Sequence, residues 1–186
     1  MRKIVAIGGG ENGHTRFDGT CTPYETENIE KVILREQINI CLDIIHKSFA
    51  TVATDFNLTK ENCPNHTAFM PIEKLEMQFD NGNPMFLYKY ENEFVGYFSL
   101  NLKESCVELN NLSVLPEYRH LGIGANIVNY AKNYVKNNLC ANKIDIGIIE
   151  ENEVLKNWYE QLGFVHIGTK KIKNLPFTVG FMEIEL

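Results

Sequence analysis

The segment that most constrains this chain is a glycine-rich turn between a strand and a helix. Cys106 to Val114 is a strand-like run and Pro116 stops it. Arg119-His120-Leu121-Gly122-Ile123-Gly124-Ala125 then leads into a helix over about 123–136, which carries Ile123, Ile127, Ala131, Tyr134 and Val135 on one side. A second strand-like run, Ile144 to Ile149, completes a β-α-β unit. Small residues at 122, 124 and 125 let a ligand approach the backbone, and the free N–H groups of a first helical turn carry partial positive charge. Such a turn can cradle a pyrophosphate, with Arg119 adding a cation, or it can be a tight turn that binds nothing.

The rest of the chain is organised around this unit. Lys3 to Ile7 reads as a short buried strand ending in Gly8-Gly9-Gly10, followed by a polar, turn-rich stretch to Tyr24. Between Glu25 and Glu36, Ile29, Val32 and Ile33 have helical spacing while Val32-Ile33-Leu34 alone would make a strand, and the strand at 32–36 is the preferred reading. Ile40, Cys41, Ile44, Ile45 and Phe49 form the stripe of a helix over 38–50. A loop over 51–66 precedes a second helix at 71–79, and Asn81-Gly82-Asn83-Pro84 is a turn. Met85 to Tyr90 and Phe94 to Leu100 are joined by Glu91-Asn92-Glu93 as a hairpin and continue into the 106–114 run as an antiparallel meander. Asn152 can cap a helix bearing Val154, Leu155, Trp158, Tyr159 and Leu162, Gly163 can end it, and strands near 164–169 and 178–185 close the chain.

Composition excludes several classes. A chain of 186 residues with 44% hydrophobic and 23% charged side chains can build a core without staples, as one domain with an appendage. Its net charge of -6 has the wrong sign for gripping nucleic-acid backbones, so no nucleic-acid partner is expected. No apolar run approaches the roughly 18 residues of a membrane span, and the four apolar residues after Met1-Arg2-Lys3 fall short of a signal-peptide core, so no membrane association and a cytoplasmic location are expected. Five scattered cysteines suit reduced thiols. Cys63-x-x-His66 supplies two metal ligands with no matching pair, so no metal is expected.

Gly8-x-Gly10-x-x-Gly13 matches the dinucleotide-binding fingerprint, but His14 to Thr20 reads as loop, where that motif needs a helix. The first thirty residues instead resemble the N-terminal end of peptidase E-like serine peptidases. No nucleophile elbow follows, so residues 1–30 are expected to be an appendage without peptidase activity, able to pair along a sheet edge or across a homodimer.

Asn152 to Phe164, NEVLKNWYEQLGF, places Asn152 and Tyr159 two helical turns apart on one side, where Tyr159 is either an aromatic anchor or a hydroxyl aimed at the preceding β-α junction. Together with Pro116-x-x-Arg119-x-x-Gly122-x-Gly124, this Asn-x6-Tyr-x3-Gly-Phe pattern resembles the GNAT N-acetyltransferase superfamily over about residues 31–186. The resemblance implies an α/β fold with a central mixed, mostly antiparallel sheet, flanking helices and a splayed cofactor cleft. It implies acetyl-CoA as cosubstrate, with amides of His120, Leu121, Gly122, Ile123, Gly124 and Ala125 on the pyrophosphate beside Arg119. It further implies that the backbone of Leu112, Ser113 and Val114 meets the pantetheine arm, that Asn152 contacts the same arm, and that Tyr159 serves the leaving thiolate. Leu155 departs from the small residue that many relatives carry there.

An amine with a pKa near 10 must lose a proton before it attacks a thioester. Glu108, on one side of its strand with Asn110, is the candidate base, with a solvated carboxylate as the equal alternative; Glu73 and Glu76 fit an exposed helix face. The expected reaction is direct acetyl transfer to a primary amine of a small molecule or peptide. Phe49, Phe69 and Tyr97 are candidates to line the acceptor pocket. A non-catalytic acyl-CoA sensor and a dinucleotide-binding protein using Gly8 to Gly13 are the rival readings.

Overall fold

A computed structural model describes residues 28–104, 106–139 and 141–186. The strand expected at 3–7, the Gly8-x-Gly10-x-x-Gly13 motif, Cys21 and Cys140 lie outside these residues.

One seven-stranded sheet runs through the molecule. Its strands are β1 (Ile29–Lys31), β2 (Met85–Tyr90), β3 (Glu93–Leu102), β4 (Val107–Val114), β5 (Lys143–Ile149), β6 (Val165–Lys171) and β7 (Thr178–Glu185), in the order β1-β2-β3-β4-β5-β7-β6. All neighbours are antiparallel except β4 and β5, whose parallel pairing requires a crossover. That crossover is helix α3 (Ile123–Asn138), while α1 (Gln37–Asp55), α2 (Ile72–Asp80) and α4 (Glu153–Gln161) complete the α/β fold.

The strand expected at 32–36 is not formed. β1 pairs three residues earlier, Ile29 opposite Tyr88 and Lys31 opposite Phe86. Val32 adds one more bond from its N–H to the Met85 carbonyl, and the chain then turns. The Gln37 side-chain oxygen accepts the N–H groups of both Ile33 and Leu34 at 3.0 Å, so these two apolar residues are held in a turn and stay 69% and 50% exposed. A local side-chain acceptor outcompetes a strand signal only three residues long. The strand Ile29–Lys31 spans the division expected between 30 and 31.

Helix α1 runs five residues beyond its expected end because its apolar stripe continues through Val52 and Ala53, both buried. Thr51 and Thr54, weak helix formers, bond their hydroxyls back to the Ser48 and Ala50 carbonyls at 2.9 and 3.0 Å. The other elements lie within about two residues of their expected bounds.

Helices cover the two faces of the sheet differently. On one face Phe86 stacks on Phe98 at 4.8 Å between ring centres and meets Tyr130 and Tyr134 of α3 edge-on at 5.5 and 4.9 Å. Gly96 belongs to the same face, where a Cβ would press on Ile127 and on the Ser113 carbonyl, so the closeness of α3 to β3 requires glycine there. The opposite face carries Tyr97, Ser99 and Asn101 of β3 and lies under α1 and α2; Ser99 Oγ reaches Gln78 Oε1 of α2 at 3.5 Å. On the far side of the sheet, the Glu151 carboxylate accepts the Thr178 N–H and holds the loop before α4 against β7.

His66 is wedged between the rings of Phe49 and Phe69, with centroids 6.0 and 6.1 Å away, and its Nδ1 accepts the Ala68 N–H. Burial holds its imidazole neutral, lowering its pKa from 6.5 to about 4. The unfolded chain therefore binds this proton more readily, so stability is complete above pH 6.5 and falls as pH drops towards 4. Urea unfolding should lose on the order of 2 to 3 kcal/mol between pH 7 and 4.5 that His66→Asn, which keeps an acceptor for Ala68, does not lose.

Candidate active site

The site begins where the sheet stops being continuous. β4 and β5 pair only at Val107 with Ile144 and Glu108 with Asp145. Beyond this point β4 remains paired with β3 to Val114, and β5 remains paired with β7 to Ile149. Among the described residues, no strand pairs the facing edges of β4 and β5 past Glu108 and Asp145. Backbone donors and acceptors along these edges need other partners.

A bulge drives the two strands apart. Tyr97 lies opposite Ser113 and Ser99 opposite Asn110, so Phe98 alone faces both Asn111 and Leu112. Asn111 takes the left-handed conformation, φ 51°, which Asn tolerates better than other side-chain-bearing residues. The Ser113 hydroxyl donates to the Asn111 carbonyl at 2.8 Å and secures the bulge. Leu112, Ser113 and Val114 are all buried along the opened edge.

The turn after β4 delivers the chain to α3 with no side-chain cap on its first N–H groups. Leu115 donates to Val95, Pro116–Tyr118 makes a short 3₁₀ turn, and His120 and Gly122 are left-handed at φ 65° and 79°. Gly122 has no side chain to cap α3, and the first turn holds no acidic residue. The N–H groups of Ile123, Gly124 and Ala125 therefore lack intrahelical partners and carry the positive end of the helix dipole.

Arg119 is tied to neighbouring elements through part of its guanidinium. Its guanidinium reaches across to α1, donating to the Ser48 carbonyl at 2.9 Å and Thr51 Oγ1 at 3.0 Å, with Nε on the Val114 carbonyl at 3.4 Å. The half-buried cation ties α1 to the end of β4.

Glu108 points to the α1 and α2 face with Asn110 and Asn101, as the pairing of Asn101 with Glu108 requires. It is 3% exposed and belongs to a buried polar cluster instead of a solvated face. Its Oε2 receives Lys103 Nζ at 3.1 Å, Asn101 Nδ2 at 3.3 Å and Asn110 Nδ2 at 3.4 Å. Lys103 also reaches Asp145 Oδ2 at 3.3 Å, so one ammonium bridges two buried carboxylates. Glu108 Oε1 and Asn110 Oδ1 have no hydrogen-bond partner among the described residues. Periodicity could place Glu108 on this side of β4, but Lys103 and Asp145 come from a turn and from another strand, beyond the reach of local patterning.

Asn152 caps α4 through Oδ1, which accepts the Leu155 N–H at 3.0 Å; only its N–H groups remain for a ligand. Leu155 itself is buried at 1% exposure. Two turns on, Tyr159 lies fully buried beside Trp158 and Phe164, with ring centres 4.8 and 5.2 Å away. Its hydroxyl has no partner among the described residues, and burial pushes its pKa up, which keeps the phenol protonated. Gly163, φ 92°, ends the helix, and Lys132 of α3 donates to the Leu162 carbonyl at 2.6 Å, fixing α4 beside α3.

Cys63 and His66 make no metal site: no group of three or more potential ligands occurs among the described residues. Burial raises the Cys41 thiol to about 12 and raises the Cys63 thiol, so neither is an activated nucleophile.

The fold recurs in known structures. The chain is similar to spermidine N-acetyltransferase from Vibrio cholerae in complex with CoA and spermine, at 18% identity, TM-score 0.63, covering 86% of this chain and 96% of that one. It is similar to the ribosomal-protein-S18-alanine N-acetyltransferase of Escherichia coli, at 11% identity and TM-score 0.67, covering 84% and 92%. A GNAT family acetyltransferase from Elizabethkingia anophelis with acetyl-CoA bound matches at 20% identity and TM-score 0.52 over 61% of this chain and 83% of that one. The acetyltransferase (GNAT) family model matches residues 50–164, a span that holds α2, the bulged β4, the α3 turn and Tyr159, and the chain belongs to that family.

Proposed function

We propose that this protein transfers an acetyl group from acetyl-CoA to an amine by direct attack. The observation that carries the reading is the opened β4–β5 edge lying beside the bare N-terminus of α3. The opened strands offer unpaired backbone groups to an amide-bearing chain, and the helix terminus offers N–H groups to phosphate. Acetyl-CoA would supply an acyl group activated as a thioester.

In this reading the amides from His120 to Ala125 hold the pyrophosphate, and the edge at Leu112, Ser113 and Val114 holds the pantetheine arm, with Asn152 alongside. The acceptor enters on the α1 and α2 face, where the Glu108 carboxylate lies. Glu108 takes the amine proton on Oε1, the oxygen that Lys103 leaves open. As the amine nitrogen bonds to the acyl carbon and the carbon–sulfur bond breaks, backbone N–H groups of β4 stabilise charge on the carbonyl oxygen. Tyr159 donates a proton to the leaving sulfur and is reprotonated by the second proton that the nitrogen sheds as the amide forms. The raised thiols of Cys41 and Cys63 support this route over one through an acyl-cysteine.

The similar structures are named for a polyamine acceptor and for a protein acceptor, so the acceptor panel contains spermidine and peptides with a free N-terminal amine. Heat on titrating acetyl-CoA tests binding, and thiol release across the panel tests turnover. The salt bridge between Lys103 and Glu108 favours a second reading, an acyl-CoA sensor, because the candidate base is already paired; binding without thiol release on any amine establishes it.

Three variants test the roles. Gly124→Glu sets a carboxylate where the pyrophosphate should lie, and coenzyme A heat should vanish in calorimetry with the circular-dichroism spectrum unchanged. Tyr159→Phe should lower kcat by about 10² to 10⁴ with acetyl-CoA affinity and thermal midpoint near wild type, since the ring remains and only an unpartnered hydroxyl is removed. Full kcat in this variant removes Tyr159 from the mechanism. Glu108→Gln should make the rate climb with pH over the range in which the free amine deprotonates, because only neutral acceptor can then react.

A further inference from the structure

Asn111 is the residue of the opened edge whose side chain is left wholly unsatisfied. It is 0% exposed, and neither Oδ1 nor Nδ2 has a hydrogen-bond partner among the described residues. A buried carboxamide with both ends unpaired is costly, and folded proteins rarely keep one without a reason. The left-handed backbone at φ 51° accounts for the choice of Asn over most residues, but glycine would serve that geometry better and bury no polar atoms. Backbone conformation therefore does not explain the amide.

Position suggests what does. Asn111 belongs to the bulge, three residues past the last β4–β5 pair, so it sits on the stretch of β4 that β5 no longer pairs. A carboxamide offers an acceptor at one end and donors at the other. The group that satisfies both ends at once is a second amide, whose carbonyl accepts from Nδ2 and whose N–H donates to Oδ1.

We propose that Asn111 is a substrate-binding residue whose carboxamide pairs with a secondary amide of a ligand lying in the β4–β5 opening. Two ligands of the proposed reaction bear such a group: the arm of acetyl-CoA and a peptide acceptor. A polyamine bears none. The inference rests on the acetyl-transfer reading, and wild-type binding of acetyl-CoA is the control that separates the two: if wild type gives no heat, that reading fails, whatever Asn111 does.

The test is Asn111→Gly, which keeps the left-handed position open and deletes the amide. Its thermal midpoint should equal or exceed that of wild type, because two unpaired polar atoms leave the core. Loss of one two-point hydrogen-bonded contact should weaken binding about tenfold. If the partner is the donor arm, calorimetry shows the loss with coenzyme A but not with its nucleotide fragment lacking the arm. If the partner is the acceptor, coenzyme A affinity is unchanged, and KM rises about tenfold for a peptide amine while spermidine turnover, where present, is unaffected. Asn111→Asp, which also tolerates the left-handed conformation but loses both N–H donors, should reproduce the loss. Unchanged coenzyme A affinity and unchanged acceptor KM in a folded Asn111→Gly protein overturn the proposal, as does a drop in thermal midpoint that accounts for the whole effect.

Discussion

Everything distinctive about this protein depends on the failure of β4 and β5 to stay paired. Parallel neighbours joined by a helix normally hydrogen-bond along their length, and here the ladder stops at Glu108 and Asp145. An unpaired strand edge inside a protein is expensive unless something satisfies it. The bulge at Asn111 makes the break possible by adding one residue to β4 opposite Phe98, while β3 and β7 hold the two strands from their other sides. The sheet thus stays ordered as two rigid halves with a gap between them.

Polar side chains around the gap are arranged for different ends. Arg119, Ser113 and Lys132 complete the scaffold: they tie α1 to β4, fix the bulge and lock α4 beside α3. Tyr159, Asn111 and the outer oxygens of Glu108 and Asn110 are buried and left without partners among the described residues. Unsatisfied groups of this kind lower stability, and a protein tolerates them where a ligand is to complete them. Their grouping on β4 and on the helix that follows β5 fits a site prepared for a ligand between those strands.

The electrostatics divide the gap into two ends. The bare N-terminus of α3 presents partial positive charge, whereas the α1 and α2 face carries the Glu108 carboxylate, bridged through Lys103 to Asp145. A phosphate and an ammonium would be drawn to opposite ends, which suits a reaction joining an anionic donor to a cationic acceptor.

The sequence by itself determined what depends on neighbours a few residues away. Helical stripes located α1 through α4, Asn152 and Gly163 marked the ends of α4, and Gly122 with Gly124 marked the turn into α3. Local periodicity misplaced the first strand, because a three-residue apolar run at Val32 cannot reveal that Gln37 will hold it in a turn while Ile29 pairs with Tyr88 fifty-nine positions on. The tertiary structure alone decided that Arg119 ties α1 to β4, that Lys103 bridges Glu108 and Asp145, and that β4 parts from β5 after Glu108. Those facts depend on contacts between segments distant in sequence, and hydrogen-bond satisfaction among such segments is settled only when the whole sheet is assembled.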